Sequence, residues 1–368
     1  MRDGAVVGEG FHAELGDLHG ERAALEDCRR KGEDPRGATM YATLEPCAHQ
    51  GRQPPCVDAI LEAGISRLVI ASDDPSEKAS GRGPGILRDG GVEVELAAGE
   101  EATAARLLNQ PFRKHARTGL PLVTLKLAMS LDGRTSTAPG DSPWISGERS
   151  RELVHRWRAE SDAIAVGIGT VLADDPLLTA RPQPSSALYP AHSHIKRTGT
   201  GVRQPLLVVF DRQARLPLDS QLLRTLDQSP VLAVVAPEAD SSRSSALHDA
   251  GAELLVADSI EAALAELGRR GFTSLFLEGG QALAAAFQAT DQLDEARIFV
   301  APVILGDAGD ASRAGGAVAG VPRGAEARPA PSTVGEAAAT GPARQTPLSR
   351  TVETIGDDVL ITARFKEW

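Results

Sequence analysis

The chain has 368 residues, more than one hydrophobic core usually supports, so two domains are expected. Hydrophobic residues make up 42% and charged residues 24%, as in globular proteins, and no run approaches the roughly 18 consecutive apolar residues of a membrane span. The net charge of −11 argues against a protein that holds a nucleic-acid backbone, but small anionic substrates need only a few arginines.

The first residues lack the features of a secretory signal. Met1 is followed by Arg2-Asp3-Gly4 and a short apolar run, without an h-region or a cleavage site. A cytoplasmic location is therefore predicted. The three cysteines, Cys28, Cys47 and Cys56, all lie in the first 56 residues. In a reducing compartment, clustered cysteines indicate metal binding or catalysis rather than a disulfide framework.

The first third of the chain alternates helical and strand patterns. Helices are predicted over residues 22–30, 57–63 and 101–109, and strands over Ala38–Thr43, Arg67–Ala71 and Val92–Leu96. This alternation predicts an α/β layer. The polar stretch Arg113–Gly119 is predicted to be the linker to a second block.

A second α/β pattern follows this stretch. Its predicted strands are Leu122–Leu127, Ala163–Gly167, Leu206–Phe210, Val231–Val235, Leu254–Ala257, Ser274–Leu277 and Ala296–Val300. Two segments, Pro182–Arg203 and Gly306–Ser349, are rich in Pro, Gly and small residues and are predicted to be long loops without chemistry. The predicted domains are residues 1–115 and 119–368.

A set of potential metal ligands lies in the first domain. His19-Gly20-Glu21 opens a helical run, and Pro46-Cys47 is followed by Cys56. One imidazole and two thiolates leave the fourth position of a tetrahedral zinc open, as catalysis requires, and Glu21 is suited to shuttle a proton. Considered one at a time, each residue has a simpler interpretation: the histidine as a structural residue near a helix, and the two cysteines as ordinary buried thiols. Together they favour a metal site, whereas Cys28 is predicted to be a small core residue.

The segment His19–Glu21, taken with Leu44-Glu45-Pro46-Cys47-Ala48-His49-Gln50-Gly51-Arg52-Gln53-Pro54-Pro55-Cys56, resembles the deaminase half of the bifunctional riboflavin biosynthesis deaminase/reductase family. The resemblance implies a cytidine-deaminase-like α/β/α fold, with His19, Cys47 and Cys56 as zinc ligands and Glu21 as the proton shuttle. It also implies substrate contacts from three side chains that donate to phosphate or pyrimidine oxygens, namely His12, His49 and Arg52.

Two features depart from the family pattern. Gly20 stands where the family usually has Ala, which weakens helix propensity by about 1 kcal/mol but leaves the flanking side chains in place. The family also carries a helix and an Asn-Pro turn before the strand at Gly4–Val7, whereas this sequence begins at Met1-Arg2-Asp3-Gly4. Two explanations follow: either the start lies further upstream, or the deaminase domain is incomplete and inactive. In the second case the chain is a reductase with an impaired zinc-binding domain.

A second series of motifs comprises Thr124–Arg134, Ser142–Ser146, His155–Asp162, Gly167–Pro176 and Leu178–Arg181. This series closely resembles the reductase half of the same family, whose fold is dihydrofolate-reductase-like α/β. Gly167 and Gly169 follow a strand, and Glu278-Gly279-Gly280 precede an Ala-rich run, so both turns let a dinucleotide approach the backbone. Without the motif series, each turn has the plainer interpretation of a strand-to-helix connection.

The resemblance implies two sets of site residues in this half. The substrate-facing set comprises Lys126, Ser142, Arg158, Leu178, Arg181 and Glu278. The NADPH-binding set comprises Met129, Trp144, Thr170, Asp174, Gly280, Gln281, Ala282, Leu283, Ala284, Ala285 and Ala286. Taken alone, Lys126 and Asp174 have simpler interpretations as a strand-end charge and a cap, and the two arginines as solvated surface charges.

The implied activity is hydrolytic deamination of 2,5-diamino-6-ribosylamino-4(3H)-pyrimidinone 5′-phosphate, followed by NADPH-dependent reduction to 5-amino-6-ribitylamino-uracil 5′-phosphate. The implied cofactors are Zn²⁺ and NADPH. A phosphorylated pyrimidine is the expected partner, without nucleic acid or membrane, and a homodimer is expected because closed dimers are the commonest assembly. A nucleic-acid-editing deaminase is disfavoured by the negative charge, and a non-catalytic zinc module leaves Glu21 unexplained.

Overall fold

The computed structural model describes residues 1–13, 16–77, 79, 81–136, 144–182, 197–198, 201–306 and 345–368. The chain forms two compact units, one of Met1–Gly119 with Glu367–Trp368 and the other of Leu120–Lys366. Among the described residues, no helix has both the length and the apolar character needed to cross a membrane.

The first unit is built on a parallel three-stranded sheet. Its strands, in spatial order, are β1 (Thr39–Ala42), β2 (Arg67–Ile70) and β3 (Glu93–Leu96). Its helices are α1 (Gly20–Arg30), α2 (Cys56–Glu62), α3 (Arg82–Asp89), α4 (Gly99–Leu108) and α5 (Gln110–Thr118). Parallel neighbours need crossover connections, and α2 and α3 supply them.

The core of the first unit lies where the helices cover the sheet. Leu25 of α1, Ile60 of α2 and Leu87 of α3 pack in one apolar cluster with Leu68 of β2. The three predicted helices and three predicted strands are confirmed, each with ends displaced by no more than two residues. Cys28 is buried on α1, as expected for a core residue.

The strand that the family resemblance implies at Gly4–Val7 is absent from the described secondary structure, and that expectation is wrong. Arg2 and Ala5 instead exchange two backbone hydrogen bonds of 2.9 Å across a tight turn. The two central residues, Asp3 and Gly4, have φ angles of 51° and 79°, which is the backbone that an Asp-Gly pair favours in a two-residue hairpin turn.

The predicted linker is also corrected. Residues 113–118 belong to helix α5, and the boundary between the units falls just after it, at Gly119. The polar composition is misleading because Arg113 and Lys114 are 1% and 2% exposed and make polar contacts inside the unit.

A larger mixed sheet forms the second unit. Its strands are β4 (Leu122–Ser130), β5 (Ala163–Gly167), β8 (Leu206–Phe210), β9 (Val231–Val235), β10 (Glu253–Val256), β11 (Ser274–Leu277), β12 (Glu295–Ala301), β13 (Ser349–Ile355) and β14 (Asp358–Arg364), with β6 (Arg197–Thr198) and β7 (Gly201–Val202) as a separate pair. The order across the described sheet is β10-β9-β8-β5-β11-β4-β12-β14-β13. In this spatial order, the first seven strands, from β10 across to β12, are parallel to one another. The last two, β14 and β13, are each antiparallel to their neighbours.

Helices cover both faces of this sheet. They are α6 (Glu148–Glu160), α7 (Ile168–Asp174), α8 (Gln221–Arg224), α9 (Ser241–Asp249), α10 (Ile260–Arg269) and α11 (Gln281–Ala289). Alternate residues of a strand point to opposite faces, so Ile164 and Val166 of β5 enter one apolar cluster and Ala163 and Ala165 enter the other. Burial on both faces explains the uninterrupted apolar runs in the sequence.

The seven strands predicted for this unit are confirmed, but four were not predicted: β13, β14 and the short pair β6 and β7, which lies within the predicted loop Pro182–Arg203. Six of the seven residues of β13 are exposed, so its sequence lacks the apolar alternation by which strands are recognised. Because parallel strands end at a common edge, the sheet collects the ends of β4, β5 and β11 in one place, and these three lie side by side.

Candidate active sites

The predicted zinc ligands of the first unit come together. The ligand atoms of His19, Cys47 and Cys56 all lie within 4.8 Å of one another. The His19 Nδ1 atom is 3.5 Å from the Cys47 Sγ and 3.4 Å from the Cys56 Sγ. A tetrahedral zinc with ligand bonds of about 2.1 and 2.3 Å sets such atoms roughly 3.6 Å apart. The donor set and its spacing therefore fit zinc.

A hydrogen bond between the side chains of Cys47 and Cys56 shifts their two pKa values in opposite directions. This bond lowers the pKa of Cys47 to about 5, with His19 acting in the same direction. The bond and burial raise the pKa of Cys56.

Glu21 lies in the first turn of α1, beside the ligand cluster. Its carboxyl group hydrogen-bonds with Cys56, and burial raises its pKa. His19 is the N-cap residue of the helix, so the H-x-E spacing brings both side chains to the same helix end. A carboxyl group at this position is within reach of a group bound at the fourth position of the metal.

The turn that carries the second cysteine is held by a residue that sequence reasoning did not identify. Arg22 donates from Nε to the Pro54 carbonyl at 3.1 Å and from Nη2 to the Pro55 carbonyl at 2.8 Å. Cys56 then begins α2, and its backbone N–H donates to the Cys47 sulfur at 3.3 Å. Arg22 follows Glu21 directly, but nothing in the sequence specifies its distant acceptors.

Glu45, two residues before Cys47, is also a structural anchor. Its carboxylate accepts hydrogen bonds from Gly81 N and Gly83 N, both at 3.3 Å, and it is 6% exposed. Its own backbone N–H donates to the Ser72 carbonyl at 2.9 Å. Burial raises the Glu45 pKa against the effect of these donors.

The three predicted substrate contacts differ in burial, and His12 contacts a zinc ligand directly. The His12 ring lies edge-on to His19, with 5.3 Å between centroids, and its Nδ1 is 3.1 Å from the Leu18 carbonyl. His49 has a buried Nδ1 without a hydrogen-bond partner among the described residues. Arg52 is exposed. These positions leave donors available near the metal ligands.

In the second unit, a charged cluster lies where β11 ends beside the middle of β4. Arg158 of α6 binds Glu278 at two points, with Nε–Oε1 at 2.5 Å and Nη2–Oε2 at 2.9 Å. The Lys126 Nζ lies 3.8 Å from the same Glu278 Oε2 atom. Strand register explains the meeting, because Leu277 is opposite Leu125 and the next residues along both strands are Glu278 and Lys126.

Burial and charge act against each other in this cluster. Burial alone would raise the pKa of Glu278, but Arg158 and Lys126 outweigh it, so the pKa is lowered and the carboxylate stays ionised. Burial also lowers the pKa of Lys126, against the attraction of Glu278. With Arg181 included, the cluster holds three cations and one carboxylate. That surplus suits an anionic ligand in a chain whose total charge is negative.

His155 and Arg181 extend the cluster. The Arg181 backbone N–H donates to His155 Nδ1 at 3.3 Å, and the Arg181 guanidinium donates to Thr179 Oγ1 at 2.7 Å. Burial, then the charges of Arg158 and Arg181, lower the pKa of His155 to about 4. The imidazole is therefore neutral near pH 7 and accepts this hydrogen bond. His155 was not among the predicted site residues.

Leu178, predicted to face the substrate, is buried and has an unusual backbone. Its φ angle is 54°, a left-handed conformation that side chains other than Gly rarely adopt. Asp175, three residues earlier, has a φ of 38°, and its carboxylate accepts from Gln221 N at 2.8 Å. Strained backbone of this kind is concentrated at functional sites.

The glycine-rich turns bring two helix ends together. Gly167 precedes α7 and Gly280 precedes α11, each as the N-cap residue. A Cβ atom on Gly280 would lie 3.7 Å from the Thr170 hydroxyl, and one on Gly279 would lie 2.9 Å from Leu283. The start of α11 thus lies close to Thr170 in the first turn of α7, and backbone N–H groups at helix starts are suited to the phosphates of a dinucleotide.

The other predicted cofactor residues vary in exposure. Met129 is half-buried on β4, and Trp144 and Asp174 are exposed, with the Trp144 ring 5.3 Å from the Arg151 guanidinium. In α11, Gly280, Gln281 and Ala282 are exposed, whereas Ala284 belongs to the apolar core. Ser142 lies outside the described residues.

Comparison with known families assigns both units. Residues 1–72 match the family described as the cytidine and deoxycytidylate deaminase zinc-binding region. Residues 121–322 match the RibD C-terminal domain. The fold and the two sites therefore define a two-domain enzyme, a zinc-dependent deaminase joined to a reductase. The expected cytidine-deaminase-like and dihydrofolate-reductase-like fold classes are confirmed.

Curated relatives are similar over most of their length. The riboflavin biosynthesis protein RibD of Escherichia coli is 37% identical over 83% of this chain and 81% of its own, and that of Aquifex aeolicus is 35% identical over 83% and 80%. The chain belongs to the RibD family of riboflavin biosynthesis proteins. It is accordingly a bifunctional deaminase and reductase that uses zinc and NADPH, and a reductase with an impaired first domain is not favoured.

Solved structures agree with this assignment. Acinetobacter baumannii RibD, form 1, is similar with a TM-score of 0.75 and 32% identity, covering 100% of this chain and 90% of that one. A diaminohydroxyphosphoribosylaminopyrimidine deaminase/5-amino-6-(5-phosphoribosylamino)uracil reductase from Thermotoga maritima has a TM-score of 0.74 and 30% identity, covering 99% and 90%.

Proposed function

We propose that this chain deaminates 2,5-diamino-6-ribosylamino-4(3H)-pyrimidinone 5′-phosphate and then reduces the product to 5-amino-6-ribitylamino-uracil 5′-phosphate. The observation that carries the proposal is the convergence of His19, Cys47 and Cys56 beside Glu21. The cation-rich cluster around Glu278 supports the second reaction on the same anionic molecule. The functional boundaries are proposed as residues 1–115 and 119–368.

In the deaminase reaction, His19, Cys47 and Cys56 would hold zinc, whose chemistry would make water acidic enough to act as the nucleophile near neutral pH. Glu21 accepts a proton from this water and returns it to the departing amine. One water molecule is consumed, the ring C–N bond breaks, a ring carbonyl forms and ammonia leaves. Glu21 is suited to both transfers because it lies beside the ligand set.

Three further residues are proposed to bind the substrate of this domain. His12 and His49 lie near the metal ligands, and the buried, unpartnered His49 Nδ1 is suited to a polar atom of the pyrimidine. Arg52, which is exposed, is suited to the phosphate.

In the reductase reaction, the turn and helix start at Gly280 would hold NADPH, which would supply the hydride that, together with one proton, reduces the ribosyl chain. Lys126, Arg158, Arg181 and Glu278 bind the sugar phosphate, supported by their mutual contacts. Ser142 and Leu178 complete the proposed substrate set. The proposed cofactor contacts are Met129, Trp144, Thr170, Asp174 and the turn and helix start from Gly280 onward.

The test is ammonia release from the diaminopyrimidine substrate by the full chain with zinc, followed by NADPH oxidation in the same cuvette. Both signals are expected, and Glu21→Gln is expected to abolish the first while sparing reduction of the deaminated compound. Cys28→Ala is the matched control, since Cys28 is buried on α1 away from the ligand set. NADPH oxidation with the deaminated compound alone would support a reductase without a working deaminase.

We propose that the protein works in the cytoplasm, where its three free cysteines remain reduced. A homodimer is proposed as the working assembly, on the general ground that closed dimers predominate. Light scattering coupled to size-exclusion chromatography tests the assembly, and a mass of one chain would contradict it.

A further inference from the structure

Arg113 of α5 is a buried cation in the first unit. It is 1% exposed, and its guanidinium donates from Nη1 to the Ser72 hydroxyl at 2.9 Å and to the Asp73 carbonyl at 2.7 Å. Nη2 binds the Asp73 carboxylate at 3.0 Å, and Nε donates to the backbone oxygen of Trp368. A buried guanidinium is stable only when its donors are satisfied, so this geometry is specific.

Glu367 and Trp368, which belong to this unit, line one side of the Arg113 site. The Trp368 N–H donates to Gln110 Oε1 at 2.9 Å, and Gln110 Nε2 donates back to the Trp368 oxygen at 3.1 Å. The Lys114 Nζ lies 5.5 Å from the centroid of the Trp368 ring, and Arg106 binds Glu367 at 3.0 Å. Residues 367–368, named here the clip, are thus fixed along α4 and α5.

On the Ser72 side of the Arg113 site, hydrogen bonds connect Arg113 to the segment that carries the zinc ligand Cys47. The Ser72 carbonyl accepts from the Glu45 N–H at 2.9 Å, and the Asp74 backbone N–H donates to the Glu45 carboxylate. Glu45 is followed directly by Pro46 and Cys47. The turn that carries Cys47 is therefore hydrogen-bonded, through Glu45, to residues 72–74, and Arg113 binds Ser72 and Asp73 of that segment.

We propose that Arg113 is a positioning residue for the zinc site, and that the clip maintains its orientation. Hydrogen bonds connect Trp368 to Arg113, Arg113 to Ser72, and Ser72 to Glu45. Glu45 precedes Cys47 by two residues in the chain. The inference rests on the proposed zinc ligands. Loss of the clip loosens the Cys47 turn, so zinc leaves faster and ammonia release slows.

The test uses the full chain with the substitutions Arg113→Lys and Gln110→Ala. Lysine keeps the charge but cannot bridge Ser72 and Trp368 with a planar group. Gln110→Ala removes both side-chain hydrogen bonds to the Trp368 backbone. Partners behind metal ligands typically change affinity by about 10- to 100-fold. We expect zinc release to a chromogenic chelator to accelerate about tenfold in Arg113→Lys, with a smaller increase in Gln110→Ala. Cobalt(II)-substituted Arg113→Lys is expected to have a shifted thiolate absorption band.

The matched control is Arg117→Lys. Arg117 lies on the same helix and also approaches the Asp73 carboxylate, at 3.7 Å, but it is 41% exposed. Its zinc release and cobalt spectrum are expected to equal those of the wild type. NADPH oxidation with the deaminated compound is expected to be unchanged in all three variants.

If Arg113 only stabilises the fold, its substitution lowers the thermal midpoint of unfolding but leaves zinc release from the folded protein and the cobalt spectrum unchanged. That result would overturn the proposal. If Arg113→Lys does not fold, Gln110→Ala decides by the same two measurements. A wild-type chain without zinc would overturn the proposed zinc site and this inference together. Zinc in the wild type with unaltered variants would overturn the inference alone.

Discussion

Arg158 and Glu278 form a two-point ion pair in which the guanidinium is 13% exposed and the carboxylate 6% exposed. Such a pair fixes the orientation of both side chains, because two parallel hydrogen bonds allow little rotation. It also leaves each partner dependent on the other, since a single buried charge is costly. Lys126 adds a second cation, 3.8 Å from Glu278 Oε2.

Replacing Glu278 with Gln is expected to leave Arg158 and Lys126 without a counter-charge. Removing one partner of a buried pair costs about 3–5 kcal/mol, so urea unfolding should show a loss near the lower limit of that range. NADPH oxidation should fall at least about 100-fold in kcat/KM, while ammonia release stays at the wild-type rate. Glu266→Gln, which breaks exposed pairs with Arg269 and Arg270, is the control and should change neither activity. A wild-type reductase rate in Glu278→Gln would contradict the assigned role.

Substitution of a ligand cysteine should separate the two activities. Cys47→Ala is expected to lose bound zinc, measured by elemental analysis at one ion per chain in the wild type, because two remaining ligands hold zinc poorly. Ammonia release should disappear while NADPH oxidation of the deaminated compound continues. Cys28→Ala removes an equally buried thiol outside the cluster and should retain zinc. Full zinc content in Cys47→Ala would rule out the assigned ligand set.

Local sequence patterns were sufficient to predict most strands and the convergence of His19, Cys47 and Cys56. The H-x-E and P-C motifs depend on side-chain chemistry at short spacing, and the apolar runs of β5 and β9 reflect burial on both faces. The sequence could not reveal contacts made by tertiary packing. Arg113 is polar in sequence yet buried in the structure.

Backbone conformation set a second limit on prediction. The left-handed φ of Leu178 is imposed by its surroundings, because a leucine does not favour it locally. Strand β13 was missed since its side chains are largely exposed, and its place at the sheet edge depends on pairing with β14. These features follow from the assembled fold rather than from local propensity.

His155 should make stability depend on pH. Its pKa is about 4 in the folded chain and 6.5 as the ordinary value, so the unfolded chain binds more protons between these limits and stability falls as pH falls through them. Allowing for partial exposure, the wild type should lose about 1 kcal/mol more than His155→Gln between pH 7 and pH 5. Urea unfolding at both pH values measures this. His248→Gln, at an exposed position on α9, should follow the wild type, and equal losses in all three proteins would refute the assignment.

Two glycines of α3 should respond oppositely to alanine. A Cβ on Gly83 would lie 2.5 Å from the Pro46 carbonyl, next to the ligand Cys47, whereas a Cβ on Gly85 meets nothing within 4 Å. Overpacking against backbone costs about 1–3 kcal/mol, so Gly83→Ala should be less stable and should release zinc faster as the turn is displaced. Gly85→Ala should gain about 0.5–1 kcal/mol from helix propensity, because Gly85 is exposed inside the helix. Thermal and urea unfolding with a zinc-release assay distinguish the pair. If both variants gain stability and retain zinc equally, the close packing of α3 against the Pro46–Cys47 turn is not what holds the ligand in place.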